Sequence, residues 1–164
     1  MVVAEKTITS YFGEDHSRLD QLFDQFQALK ACDYALAKQY FKEFKFGLQR
    51  HIVWEEEILF PLFEARTGLK ESGPAVVMRL EHQQIKEALK LIHKKVQQED
   101  PQSDGEEAVL LSALTKHNAK EENMLYPMID QLLSEEERKS VFLQMENLSD
   151  EWYRSCCGIK NLHS

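Results

Sequence analysis

Apolar residues recur along this chain at helical intervals, and the residues between them are dominated by Leu, Ala, Lys, Glu and Gln, all good helix formers. No long stretch alternates apolar and polar residues as a strand would. Breakers divide the chain into long segments. A first helix is expected from near Thr9 or Ser10 to about Leu29, with Leu19, Leu22, Phe23, Phe26 and Leu29 on its apolar side. Asp33 is placed to cap a second helix reaching about Ala65. Thr67-Gly68 to Gly73 reads as a loop, and Pro74 opens a third helix to about Gln98. After a loop from Asp100-Pro101 through Gly105, a fourth helix runs to about Leu133. Ser134 followed by Glu137 is a capping-box pattern for a shorter fifth helix. Val141, Phe142, Met145 and Leu148 would dock it, with Trp152 beyond. From Cys156 the tail reads as frayed. Four long helices with short connections predict an all-α, up-down-up-down antiparallel four-helix bundle in one domain over 1–164.

In such a bundle the apolar faces turn inward, so polar residues on those faces need an explanation. Two segments supply them. One runs His51-Ile-Val-Trp-Glu55-Glu56-Glu-Ile-Leu59-Phe60-Pro61, and the other runs His117-Asn-Ala-Lys-Glu121-Glu122-Asn-Met-Leu125-Tyr126-Pro127. Both read H-x3-E-E-x2-L-[FY]-P, and they lie 66 residues apart. His16 (after Asp15) and His82 (after Glu81) are also 66 residues apart, each 35 residues before its H-x3-E partner. The chain is two copies of one helical hairpin.

Spacing supplies the geometry. Residues i and i+4 share a helix face, so His51 points with Glu55 and His117 with Glu121. Leu48, Leu59 and Leu62 mark that face as inward in the first copy, and Leu114, Leu125 and Met128 in the second. His16 continues the stripe of Leu19, Phe23 and Phe26, and His82 that of Met78, Ile85 and Leu89. His16 lies roughly 21 Å before its helix ends, and His51 roughly 26 Å into the next, at 1.5 Å per residue. Four histidines and two carboxylates thus meet at one depth. Burying them unpaired would cost several kcal/mol. Two metal ions, each held by two imidazoles and sharing both carboxylates, would relieve that cost. An oxo, hydroxo or water bridge would complete the pair and leave an open position. Nitrogen and oxygen donors without thiolate suit iron, or manganese, better than structural zinc or copper(I).

This pattern resembles the hemerythrin-like (HHE cation-binding) family over roughly residues 7 to 133. The resemblance implies a non-haem di-iron centre in a four-helix bundle, with His16, His51, Glu55, His82, His117 and Glu121 as metal ligands. The four-histidine set is similar to that of the family's proteins for repair of iron centres, which carry a further cysteine-containing segment not found in these 164 residues. Oxygen-carrying hemerythrins use H-x3-H and an aspartate, neither of which stands at the matching places here. The Glu-x-x-His of ferritin-like sites does not occur before any histidine of this chain.

The remaining residues read more plainly. Pro61 and Pro127 predict a kink inherited by both copies, without a part in activity. Glu56 and Glu122, about 100° round the helix from the ligands, are expected in solvent or bonded to neighbouring helices. Asp15 and Glu81 either orient ligands or lie at the surface. Tyr126 is read as core with its hydroxyl bonded, with approach to the metals as the alternative. His93 is expected to be an ordinary histidine and His163 part of the tail. Cys156 and Cys157 read as inert thiols, since adjacent cysteines pair only with strain.

A net charge of -8 argues against nucleic acid and anionic membranes as partners. No apolar run reaches membrane-spanning length, and MVVAEKTITS lacks the basic and apolar regions of a signal peptide. Three cysteines form no disulfide framework, so a reducing, cytoplasmic setting is expected. The expected function is a di-iron protein meeting O2, NO or peroxide at an open iron position. Iron storage or delivery, or repair of iron centres under stress, is the alternative, and a purely structural metal bundle the third reading.

Overall fold

A computed structural model describes residues 5–156, and the expectations for Cys157 and His163 lie outside them. The described residues are all-helical, without strands. Helix α1 (Ile8–Leu29) begins just before the expected point, because Thr7 caps it in a capping box with Ser10. Asp130 from near the other end of the chain adds a second cap. Its carboxylate accepts the Ile8 and Thr9 N–H groups at 2.8 and 2.9 Å, tying the start of α1 to a distant helix. Asp33 caps α2 (Tyr34–Trp54) through the Leu36 N–H, 3.1 Å away.

The long helix expected from Asp33 to Ala65 is not continuous. After α2 comes a π turn (Glu55–Leu59), then α3 (Phe60–Thr67), which ends at Gly68 with φ +75°. Helix α4 (Pro74–Gln97) is unbroken. The fourth expected helix divides as the second does, into α5 (Asp104–Lys120), a π turn (Glu121–Leu125) and α6 (Tyr126–Leu132). The bundle is therefore more segmented than the four-plus-one arrangement expected. Pro61 and Pro127 give the reason. Each lacks an N–H, and its ring crowds the carbonyl four residues back. The wider turn just ahead, closed by Phe60 N–H to Glu55 C=O and Tyr126 N–H to Glu121 C=O, accommodates the ring in place of a simple kink. The extra residue re-phases the helix beyond it. Met128, expected to face inward, is accordingly 38% exposed, and Leu62 is only partly buried.

Helix α7 (Glu135–Asn147) begins in the expected Ser134–Glu137 capping box. Val141 and Met145 dock it. Leu148 is extended, and a further short helix, α8 (Asp150–Cys156), follows. Tyr153 rather than Trp152 anchors α8. Trp152 is 42% exposed, whereas the buried Tyr153 hydroxyl accepts the Trp54 indole N–H at 2.8 Å and donates to the Met145 carbonyl at 3.1 Å.

The core forms two apolar clusters. One contains Phe12, Trp54, Leu59, Phe60, Met78 and Leu125, and the other Leu19, Phe44, Leu48, Ile85, Leu89 and Leu114. Along every long helical stretch the expected ligands fall between residues of the two clusters. His16 lies between Phe12 and Leu19, and His82 between Met78 and Ile85. The polar site is thus a layer sandwiched by apolar packing.

Candidate metal centre

All six predicted residues arrive in that layer. His16 comes from α1, His51 from α2, His82 from α4 and His117 from α5, while Glu55 and Glu121 open the two π turns. None is more than 5% exposed. Donor atoms of Glu55, His82, His117 and Glu121 lie within 4.8 Å of one another, as do those of His16, His51 and Glu121.

Each carboxylate reaches both histidine pairs. Glu55 Oε1 lies 3.5 Å from His51 Nε2, and its Oε2 lies 3.1 Å from His82 Nε2. Glu121 Oε2 lies 3.3 Å from His16 Nε2, and its Oε1 lies 3.0 Å from His117 Nε2. Two oxygens turned to opposite sides is the arrangement a bridging carboxylate needs.

The other ring nitrogens carry a complete second layer of carboxylates. His51 Nδ1 meets Asp15 at 2.9 Å and His117 Nδ1 meets Glu81 at 2.9 Å. His16 Nδ1 meets Glu122 at 2.6 Å and His82 Nδ1 meets Glu56 at 2.8 Å. A carboxylate only accepts, so each Nδ1 holds the proton and donates it. Each Nε2 is then the atom aimed at the centre, with its lone pair available in the neutral ring.

The centre itself is short of positive charge. Glu55 Oε2, His82 Nε2 and Glu121 Oε1 are buried without a well-aligned hydrogen bond. Burial opposes charging His51, yet the Glu55 charge and bonds to Asp15 and Glu55 raise its pKa to about 10. For His82, burial is likewise outweighed by Glu55 and Glu56, which raise it to about 9. Burial works against ionising Glu55, but His51 and His82 hold it well below the ordinary carboxylate range. The site therefore draws cations to its middle. Protons satisfy that demand poorly where no acceptor is in line, whereas metal ions fit the donor set.

A model of the hemerythrin HHE cation binding domain matches residues 7–146. The chain belongs to this family. An uncharacterized hemerythrin-like protein of Schizosaccharomyces pombe is 32% identical over 132 residues, covering 79% of this chain. The chain spans 63% of that relative's length. No solved structure gives a significant match. This hemerythrin-like domain thus has a buried di-metal type of His/Glu cluster.

The domain's two halves differ in hydrogen-bonding capacity where Tyr126 answers to Phe60, beside the cluster. Tyr126 is fully buried, as a core residue would be, but its hydroxyl enters the site. It bonds to Glu55 Oε1 and lies 2.8 Å from Glu121 Oε2, 3.2 Å from His51 Nε2 and 3.4 Å from His16 Nε2. Its counterpart Phe60 stacks on His82 at 5.7 Å. In an α-helix a residue five positions on lies about 140° away, so helical counting from Glu121 misses Tyr126. The π turn brings it round, and the only trace in sequence is the proline that follows.

Glu56 and Glu122 do bond to neighbouring helices, and their partners there are His82 and His16 of the cluster. Asp15 and Glu81 hold His51 and His117 of the cluster instead of lying idle at the surface. His93 stays outside the cluster. It stacks on Phe41 and lies 3.3 Å from Lys45, and burial together with Lys45 and Lys38 lowers its pKa to about 4. A pocket lined by Leu19, Leu48, Ile85, Leu114, Asp20 and Asn118 reaches the four histidines and Glu55 from the side opposite Tyr126 and Phe60.

Proposed function

We propose that this hemerythrin-like domain holds two iron ions and meets O2, NO or peroxide at an open position on them. His16 and His51 would hold one ion, His82 and His117 the other, and Glu55 and Glu121 would bridge. One observation carries the reading: each glutamate directs one oxygen to each histidine pair. Nitrogen and oxygen donors without thiolate favour iron, then manganese, over zinc. When bound, such a pair supplies electrons and a vacant coordination position to a small ligand.

The chain's own residues do the rest. Asp15, Glu56, Glu81 and Glu122 fix the imidazole tautomers and orient the rings. Leu19, Leu48, Ile85 and Leu114 exclude bulk water and leave room only for a small molecule. Burial of all six ligands favours a retained centre over iron storage or delivery. On this reading the helices form an up-down-up-down four-helix bundle, with the C-terminal helices packed on it as part of one domain. Among the described residues no helix is long and apolar enough to cross a membrane. The sparse cysteines support a cytoplasmic setting.

Iron measured per chain after aerobic purification, with optical spectra, tests the proposal. Two irons with near-ultraviolet oxo-to-iron absorption are expected. A single zinc, or no retained metal after iron-replete expression, overturns it. Azide or nitric oxide should perturb the spectrum, and a spectrum indifferent to both would reduce the centre to a structural role.

A further inference from the structure

The 66-residue symmetry of the site fails at Tyr126, and the failure is chemical. Every other member of the site has a like counterpart: histidine for histidine, glutamate for glutamate, Asp15 for Glu81. Phe60 has no donor atom, and Tyr126 has one.

The Tyr126 hydroxyl is surrounded by four donor atoms of the candidate ligand set: Glu55 Oε1, Glu121 Oε2 at 2.8 Å, His51 Nε2 at 3.2 Å and His16 Nε2 at 3.4 Å. A phenol has one proton and can satisfy one of them well. With both Nδ1 atoms committed to Asp15 and Glu122, both Nε2 atoms turn towards the phenol oxygen, and in the neutral rings that would hold an ion each offers a lone pair there. Two carboxylate oxygens and two imidazole nitrogens converging on one phenol oxygen are better served by a shared cation than by a single proton. The spacing agrees. Around an octahedral ion with bonds of about 2.1 Å, adjacent donors sit about 3 Å apart. The phenol oxygen stands to its neighbours as one ligand stands to the next.

We infer that Tyr126 is a seventh protein ligand, completing the shell of the ion held by His16 and His51. This rests on the di-iron reading. The phenol proton would pass to solvent as the ion binds, as coordinated thiols and waters lose theirs. The ion held by His82 and His117 has Phe60 at the matching place and gains no such donor. The two positions are therefore inequivalent, and the open one lies on the His82–His117 side.

The test uses the full chain, loaded with iron and oxidised, as wild type and as Tyr126→Phe. Wild type is expected to show a visible phenolate-to-iron charge-transfer band and resonance-enhanced tyrosine ring vibrations. Those vibrations should shift when the protein is made with ring-deuterated tyrosine. Tyr126→Phe should lose both signals and keep its near-ultraviolet absorption. Wild type with two irons but no visible band and no tyrosine vibrations overturns the ligand assignment and leaves the di-iron reading standing. Wild type that binds no iron removes the di-iron reading itself. The labelled wild-type spectrum decides the question even if the variant folds poorly.

Discussion

His16 Nδ1 lies 2.6 Å from Glu122 Oε1, a carboxylate from the opposite half of the duplication. His82 takes Glu56 from the opposite half in the same way, at 2.8 Å. The acidic residue after Glu55, and likewise the one after Glu121, therefore serves a histidine it is nowhere near in sequence. Each such bond fixes a tautomer and raises the basicity of the nitrogen facing the middle of the cluster.

Glu122→Ala should weaken metal binding by about 10- to 100-fold, the usual cost of losing an orienting carboxylate. The Glu122 side chain is 42% exposed, so the fold should survive. Competition with a chelator measures the affinity, and circular dichroism checks the helices. Wild-type affinity in a folded variant would contradict the role given to Glu122.

Glu55→Ala or Glu121→Ala should cut iron well below two per chain, because each removes one of the two carboxylates that reach both histidine pairs. His93→Gln should leave iron unchanged, since His93 is bonded to Lys45 away from the cluster. Iron counts that do not separate these variants would argue against the ligand set.

The metal-free protein should lose stability as pH rises. His51 and His82 have folded pKa values of about 10 and about 9, above the unfolded value. The stability they confer is complete below about pH 6.5 and disappears as pH passes through those values. Glu55 and Asp15 are shifted down, so their contribution is present above about pH 4 and is lost in acid. Iron in place of protons removes the alkaline loss, so the gap between loaded and metal-free protein should widen with pH. Urea midpoints at about pH 6 and about pH 9, with and without chelator, measure this. Metal-free protein that gains stability over that interval would refute it.

Tyr153→Phe should destabilise the fold by about 1–3 kcal/mol, because the buried Trp54 indole N–H loses its acceptor. Iron content should not change, since this contact lies in the apolar cluster below the site. Urea denaturation followed by tryptophan fluorescence reads the loss.

Much of the site was legible in the sequence because histidines and glutamates on apolar helix faces violate the expected pattern, and do so twice at the same interval. Helix starts were legible where caps are explicit, as at Asp33 and Ser134. The π turns were not. Pro61 and Pro127 announce an interruption, but whether it becomes a kink or a wider turn depends on packing around it. Tyr126 was legible as a buried residue with a bonded hydroxyl, but which groups that hydroxyl meets depends on the π turn. The roles of Glu56 and Glu122 were only half visible. Their angle on the helix excluded them from the centre, while their partners depend on how the two halves face each other.

That exchange of carboxylates reaches beyond the present chain. One hairpin alone would carry a histidine, an H-x3-E pair and two acidic residues, yet its first histidine would have nothing to hold its outer nitrogen. Two identical hairpins facing across a two-fold axis would supply each other's missing partner. The 164-residue chain thus has the logic of a fused homodimer. Its halves, produced as separate peptides, should assemble a complete ligand shell only as pairs, never as single hairpins.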